Sequence, residues 1–327
     1  MKYRKFSDLD WNVSEIGLGC WQIGWCWGDV EDNDARELLK KSLDQGINFF
    51  DTSDLYGDGR SEKFLAELIK STSEKIYVTT KLGRRVRGTN YLKGYKHEHM
   101  EEFIDRSLTN LGVDCIDLVQ LHCPPSEIIS RKDTYEKMDE LVQKGKVAHY
   151  GVSVHKISDA MKAIQFPNVK SIQLVFNIFR QKPAEAFLEE ARKKNIGVIA
   201  RGPLASGLLT GEINKETKFA ENDHRSYNIK GEHFDVGDTF SGVNFEKGLN
   251  AVEKLKDLLP DNFSLTDLAL KWILMHKEVS VVIPGAINKS QVHMNSKASD
   301  QIDISSLLPK INSIYDDLIK PDVHNRW

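Results

Sequence analysis

The chain has 327 residues, of which 40% are hydrophobic, ample for a large core and above a disordered composition. Lysine and arginine number 45 against 48 aspartate and glutamate, and this near balance (net charge -3) gives no basis for a nucleic-acid or polyanion partner. Apolar runs stay short of the ~18 residues that span a bilayer, and no apolar stretch of the secretory kind follows Met1-Lys2-Tyr3-Arg4-Lys5, so no membrane association and a cytoplasmic location are expected.

Cys20, Cys26, Cys115 and Cys123 are scattered without CxxC spacing or a companion histidine cluster. Neither a metal site nor a disulfide framework is expected. Phe6 to Leu18 alternate around a turn at Asp8-Leu9-Asp10, which predicts a small hairpin before a first core strand, Glu15 to Trp21. Gly17 and Gly19 lie on that strand, but the helix-opening glycine of a dinucleotide-binding turn is missing. Trp21, Trp25 and Trp27 then crowd a short loop, where three tryptophans make a pocket wall.

Helical and strand patterns alternate from there. A helix over Asn33 to Asp44, capped at Asn33 or Asp34, precedes a strand at Ile47 to Asp51. Helix Ser61 to Lys70 leads to strand Lys75 to Lys81, and helix His97 to Leu111 to strand Ile116 to His122. Helix Ile128 to Gln143 is followed by strand Val147 to Ser153, and helix Ser158 to Gln165 by strand Ser171 to Phe176. Helix Ala184 to Lys194 precedes strand Ile196 to Ala200. Helices at Phe245 to Leu258 and Leu265 to His276 precede the last strand, Val279 to Ile283, and helices from Lys289 and Ile304 close the chain.

Eight apolar strands separated by helices argue a parallel sheet with crossover helices. In about 300 residues that pattern fits a closed (β/α)8 barrel, with an open doubly wound sheet as the alternative. Residues 1–327 read as a single domain. The polar segment 211–242 is too long for a structural connection and reads as a functional loop or lid.

A barrel keeps its chemistry at the C-terminal strand ends. Strand two ends in Asp51, with Tyr56 in the loop behind it, strand three in Lys81, and strand four in His122. Asp51 and Lys81, at the ends of adjacent apolar runs, are expected to pair, since a buried charge is costly alone. A tyrosine titrates near ~10, and a neighbouring ammonium favours tyrosinate and lowers that value. A carboxylate would hold the lysine, and a histidine could bond an incoming carbonyl oxygen. Together they make an acid–base device for carbonyl/alcohol interconversion.

The motifs Gly17-Leu-Gly-Cys-Trp21, Phe50-Asp-Thr-Ser-Asp-Leu-Tyr-Gly57, Thr80-Lys-Leu82, Asp117-Leu-Val-Gln-Leu-His-Cys-Pro124, Gly151-Val-Ser153 and Ile283-Pro-Gly-Ala286 resemble those of the aldo-keto reductase superfamily. The resemblance covers nearly the whole chain. It implies a (β/α)8 barrel that interconverts aldehydes or ketones with alcohols using a nicotinamide cofactor, usually NADPH. By position, Tyr56 resembles the general acid, Lys81 its pKa-lowering neighbour, Asp51 the lysine's partner and His122 the residue that orients the carbonyl; Asp54 matches none of these. Ser153 and Gln173 resemble the holders of the carboxamide. Pro203, Leu204 and Ser206 resemble the pyrophosphate loop, and Gly285, Ala286, Gln291 and Asn295 the adenosine segment. Arg225, within the long loop, is a candidate phosphate contact.

The chain departs from the family pattern in two ways. Arg201 stands where an aromatic commonly stacks on the nicotinamide, although a guanidinium can also stack or reach a phosphate. Basic partners for a 2′-phosphate are missing at Gly285, Ala286 and Ile287, with Lys289 alone nearby, so NAD (as NADH) is the alternative to NADP. Trp21, Trp25, Trp27 and Leu55 suggest an aromatic-walled pocket for a small carbonyl substrate such as a sugar or an aryl aldehyde. Arg84, Arg85 and Arg87 read as a solvated charge run, with an anionic substrate as the alternative. The chain is expected to be a monomer or small homo-oligomer. A cofactor-binding, redox-sensing subunit with little turnover is the competing function.

Overall fold

The computed structural model describes residues 1–24, 30–85, 91–300 and 302–327. A hairpin comes first, pairing β1 (Tyr3–Lys5) antiparallel with β2 (Asn12–Ser14). An eight-stranded parallel sheet follows, in the order β3 (Leu18–Gly19), β4 (Phe49–Asp51), β5 (Tyr77–Leu82), β6 (Ile116–His122), β7 (Val147–Ser153), β8 (Val169–Val175), β9 (Gly197–Arg201) and β10 (Val279–Ile283). The ends of this sheet meet. Ile16 bridges Val282 and Gly19 bridges Gly285, with Gly17 N–H donating to the Val282 carbonyl at 2.8 Å. The result is the (β/α)8 barrel that the alternating pattern predicts.

Helices cover the outside with their apolar faces inward. In α1 (Asp32–Asp44) the buried positions include Ala35, Leu38 and Leu39, and in α2 (Arg60–Ser71) Phe64, Leu65 and Leu68. The third, α3 (His97–Leu111), buries Met100, Phe103 and Ile104 and stops at Gly112, which takes the left-handed conformation.

Within the barrel the period of two along each strand divides the lining into layers. The bottom layer is apolar: Phe49, Tyr77, Leu118, Ile199 and Val281 pack together with Phe6 from the hairpin. Phe6 closes this end so tightly that a Cβ on Gly197 would lie 2.6 Å from its ring. Above it the lining turns polar, and Gln120 donates to Ser171 Oγ at 2.8 Å. The next inward positions, at the C-terminal ends, are Asp51, Lys81, His122, Ser153, Gln173 and Arg201. The register Lys81↔Gln120, His122↔Ser153, Ser153↔Gln173 and Val175↔Arg201 keeps them on the inside.

Some expected elements come out shorter. The first core strand is regular only over Leu18–Gly19, with single bridges from Ile16 and Gly19 to the last strand's side of the seam. The helix expected over Ala184 to Lys194 breaks at Phe187, whose backbone leaves the helical region while its side chain is fully buried. The helix expected over Ile128 to Gln143 is likewise two, Ser126–Ile129 and Lys132–Gln143, divided at an extended Arg131. The cap of α1 is Glu31 rather than Asn33 or Asp34.

Candidate active site

Lys81 is the hub of the barrel mouth. Its Nζ lies 2.6 Å from Asp51 Oδ2, 2.7 Å from the Thr52 carbonyl and 3.3 Å from the Tyr56 hydroxyl. The lysine and aspartate side chains are 2% and 5% exposed. A buried ion pair persists only when other hydrogen bonds compensate its desolvation. Gln173 supplies one, donating Nε2 to Asp51 Oδ1 at 2.7 Å. Burial works against the lysine charge, but Asp51 and Tyr56 outweigh it and raise the Lys81 pKa.

Tyr56 is aimed by its turn. Gly57 and Asp58 both take left-handed backbone angles, at φ 59° and 54°. A Cβ on Gly57 would stand 2.8 Å from the Arg60 Cβ, so only glycine fits. The lowered tyrosine pKa expected from the lysine is corrected by this geometry. Burial pushes Tyr56 up to about 12, and Lys81 only limits that rise. His122 lies edge-on to Tyr56, with ring centroids 6.1 Å apart at 84°. Burial, and then the Arg84 and Lys81 charges, hold its pKa well below the usual value, so the ring is neutral.

These four side chains line a cavity of about 570 Å³. Ser153 and Gln173 line it beside them. Arg201, Pro203, Leu204 and Ser206 line it from the loop after β9, and Gly285, Ala286, Gln291 and Asn295 from the segment after β10. Asn295 donates to the Gly285 carbonyl at 3.2 Å, and Gln291 accepts the Ile287 N–H at 3.0 Å, which ties that segment together. Trp21 and Leu55 also line the cavity, and Trp21 stacks on His224 at 4.8 Å. Trp25, Trp27 and Arg87 lie outside the described residues. Lys289 does not line the cavity; its ammonium pairs with Glu37 at 2.6 Å on the exposed surface.

Arg84 lines the cavity instead of standing free in solvent, donating to the His122 carbonyl at 3.0 Å. Arg85 pairs with Asp58. Arg201 forms an ion pair with Asp238, a loop residue that the sequence reading missed. It also approaches His155 Nδ1 at 3.2 Å and Cys123 Sγ at 3.8 Å. Burial would raise Cys123, but His155, Arg201 and Arg84 outweigh it and bring the thiol down to about 6. The segment 211–242 contributes Lys218, Phe219, Arg225, Phe234 and Asp238 to the wall. Arg225 is ion-paired with Asp223 at 2.6 Å and lies over the Phe219 ring at 4.4 Å. Among the described residues no group of three or more His, Cys, Asp or Glu could hold a metal ion, and no helix is long and apolar enough to cross a membrane.

The parallel barrel thus carries a linked Asp51–Lys81–Tyr56 chain and a neutral His122 at its C-terminal mouth. The model of the Aldo/keto reductase family matches residues 15–308, and the chain belongs to that family, whose members are oxidoreductases that use nicotinamide cofactors. The chain is 31% identical over 306 residues to the uncharacterized oxidoreductase YqkF of Bacillus subtilis, covering 92% of each. It is 30% identical over 322 residues to the aldo-keto reductase YhdN of the same organism, covering 94% of each. The solved structure of aldo-keto reductase AKR11C1 from Bacillus halodurans in its holo form superposes with a TM-score of 0.77 at 26% identity, over 100% of this chain and 99% of that one.

Proposed function

We propose that the protein interconverts a small carbonyl compound and its alcohol, with Tyr56 as general acid and base. The observation that carries this reading is the link from the buried Asp51–Lys81 pair to Tyr56, whose hydroxyl is 3.3 Å from the ammonium at the cavity wall. In reduction Tyr56, kept protonated by burial, gives its proton to the developing alkoxide. Lys81 stabilises the tyrosinate left behind, Asp51 keeps Lys81 charged and oriented, and His122 orients the carbonyl oxygen. Trp21, Leu55 and Phe234 give the substrate an apolar wall.

The cavity fits a nicotinamide dinucleotide. Gln173 spends Nε2 on Asp51, which leaves Oε1 to accept from a carboxamide, with Ser153 beside it. A Cβ on Gly285 would lie 1.8 Å from the Gln22 amide, so backbone alone forms that floor. The cofactor, when bound, supplies or accepts the hydride. NADP is our choice over NAD. Lys289 is engaged by Glu37, and Lys218 and Arg225 are the cavity-lining cations of the long loop that can meet a 2′-phosphate. Turnover of aldehydes and keto sugars with each cofactor tests both points. A preference for NADH above tenfold, about 1.4 kcal/mol, overturns the NADP assignment, and absence of turnover with every carbonyl overturns the function. Lys218→Glu should raise the KM for NADPH at least about fivefold, near 1 kcal/mol, and leave that for NADH little changed.

A further inference from the structure

A short buried chain of polar atoms lies behind His122, and the proton-transfer unit does not use it. Ser53 Oγ is 3.3 Å from His122 Nδ1 and 3.1 Å from Asp54 Oδ1, and it accepts the Leu55 N–H at 3.2 Å. Ser53 and Asp54 are fully buried. Asp54 Oδ2 has no hydrogen-bond partner among the described residues.

The surroundings disfavour a charge on Asp54. Glu62 of α2, also fully buried, faces it while bonding Thr80 Oγ1 and Asn110 Nδ2. Arg85 and Arg106 each donate to the Asp54 backbone carbonyl at 3.2 Å, not to its carboxyl, and both pair with Asp58. Tyr95, fully buried, also interacts with it and donates its hydroxyl to the His122 carbonyl at 3.0 Å.

A hydroxyl carries one proton, and that of Ser53 has two claimants. With Asp54 ionised, Ser53 donates to the carboxylate and His122 must donate from Nδ1. A neutral imidazole then has a bare Nε2, which accepts a hydrogen bond but cannot give one. With Asp54 protonated on Oδ1, the acid donates to Ser53, Ser53 donates to His122 Nδ1, and the imidazole proton sits on Nε2. A proton on Oδ2 would forfeit the bond that Oδ1 can make. A second proton on the ring is no escape, because burial and the Arg84 and Lys81 charges keep His122 neutral.

We propose that Asp54, acting through Ser53, is a positioning residue that sets the tautomer of His122. The neutral acid presents Nε2–H to the cavity and the carboxylate removes it. The consequence for turnover rests on the reading of His122 as the residue that orients the carbonyl. Burial, and then Glu62, push Asp54 up to about 7. The acid is therefore neutral below that pH and ionised above it, and carbonyl reduction declines as pH rises through it. Tyr56, pushed up to about 12, stays protonated throughout. Cys123, near 6, and His155, with a raised pKa, also change charge close to His122, so a variant of Asp54 must separate its contribution from theirs.

The first measurement is 15N NMR of the His122 ring in the full chain without substrate, from about pH 5.5 to about 8.5. We expect Nε2–H at the low end, Nδ1–H at the high end and loss of this dependence in Ser53→Ala. One tautomer across the whole range overturns the proposal, and this readout needs neither turnover nor an Asp54 variant. The second is the kcat profile for carbonyl reduction. Wild type should lose about tenfold per pH unit above the Asp54 pKa, while Asp54→Asn, whose amide donates to Ser53 at every pH, should stay flat and active. A wild-type decline retained in folded Asp54→Asn overturns the proposal. If no carbonyl is reduced by wild type, the functional reading fails while the NMR still decides the coupling.

Discussion

At the scale of single residues, the site depends on how burial and charge compete for one proton. Tyr56→Phe removes the proton donor and keeps the ring, so turnover should drop by about 10²–10⁴-fold with cofactor affinity, measured by fluorescence titration, close to wild type. Comparable turnover in that variant would end the mechanism. Lys81→Met should remove the charge that limits the tyrosine's rise, and ultraviolet difference titration should then find Tyr56 ionising at higher pH than in wild type. Asp51, Tyr56, Lys81 and His122 were legible in the sequence because each polar residue stands at or just after the end of an apolar strand. The direction of the Tyr56 shift was not, because desolvation depends on the loop packed over the ring. Asp54 was passed over for a related reason: a hydroxyl with two competing acceptors is visible only in three dimensions.

At the scale of elements, the segment 211–242 is a wall tied down at several points. Asp238 holds Arg201, the Asp238 carbonyl accepts Ser206 Oγ at 3.2 Å, and Asn177 donates to Ser241 Oγ at 2.8 Å. Trp327 donates Nε1 to Asp235 at 3.1 Å, and the Arg180 guanidinium lies 3.7 Å over its ring. Asp238→Asn leaves the Arg201 charge largely buried without its partner carboxylate. Cofactor release, followed by stopped-flow fluorescence, should quicken about tenfold, or ~1.4 kcal/mol; an unchanged rate would mean that the pair does not hold the wall. The length of this segment announced a functional loop, but its partners across the molecule were hidden. The break at Phe187 was equally hidden, since tertiary burial of its side chain overrode a good helical pattern.

At the scale of the molecule, the barrel was readable because inside and outside faces both repeat, with period two in the strands and near 3.6 in the helices. The layering within the barrel also separates stability from chemistry. Phe6→Ala empties the bottom layer, and urea unfolding should show a loss of about 3–5 kcal/mol. Because the active site lies at the opposite end of the strands, kcat for the folded variant should stay near wild type. A large fall in kcat without a stability loss would contradict this division.

The seam between residues 15–19 and 282–285 bears on how the chain is made. It joins the first strand of the barrel to leave the ribosome with the last. Until Val279 to Ile283 emerge, β3 and β9 are bare parallel edges with unpaired backbone groups, the kind of surface that recruits another chain. A product truncated before Val279 therefore carries both edges, and it should aggregate where the full chain does not.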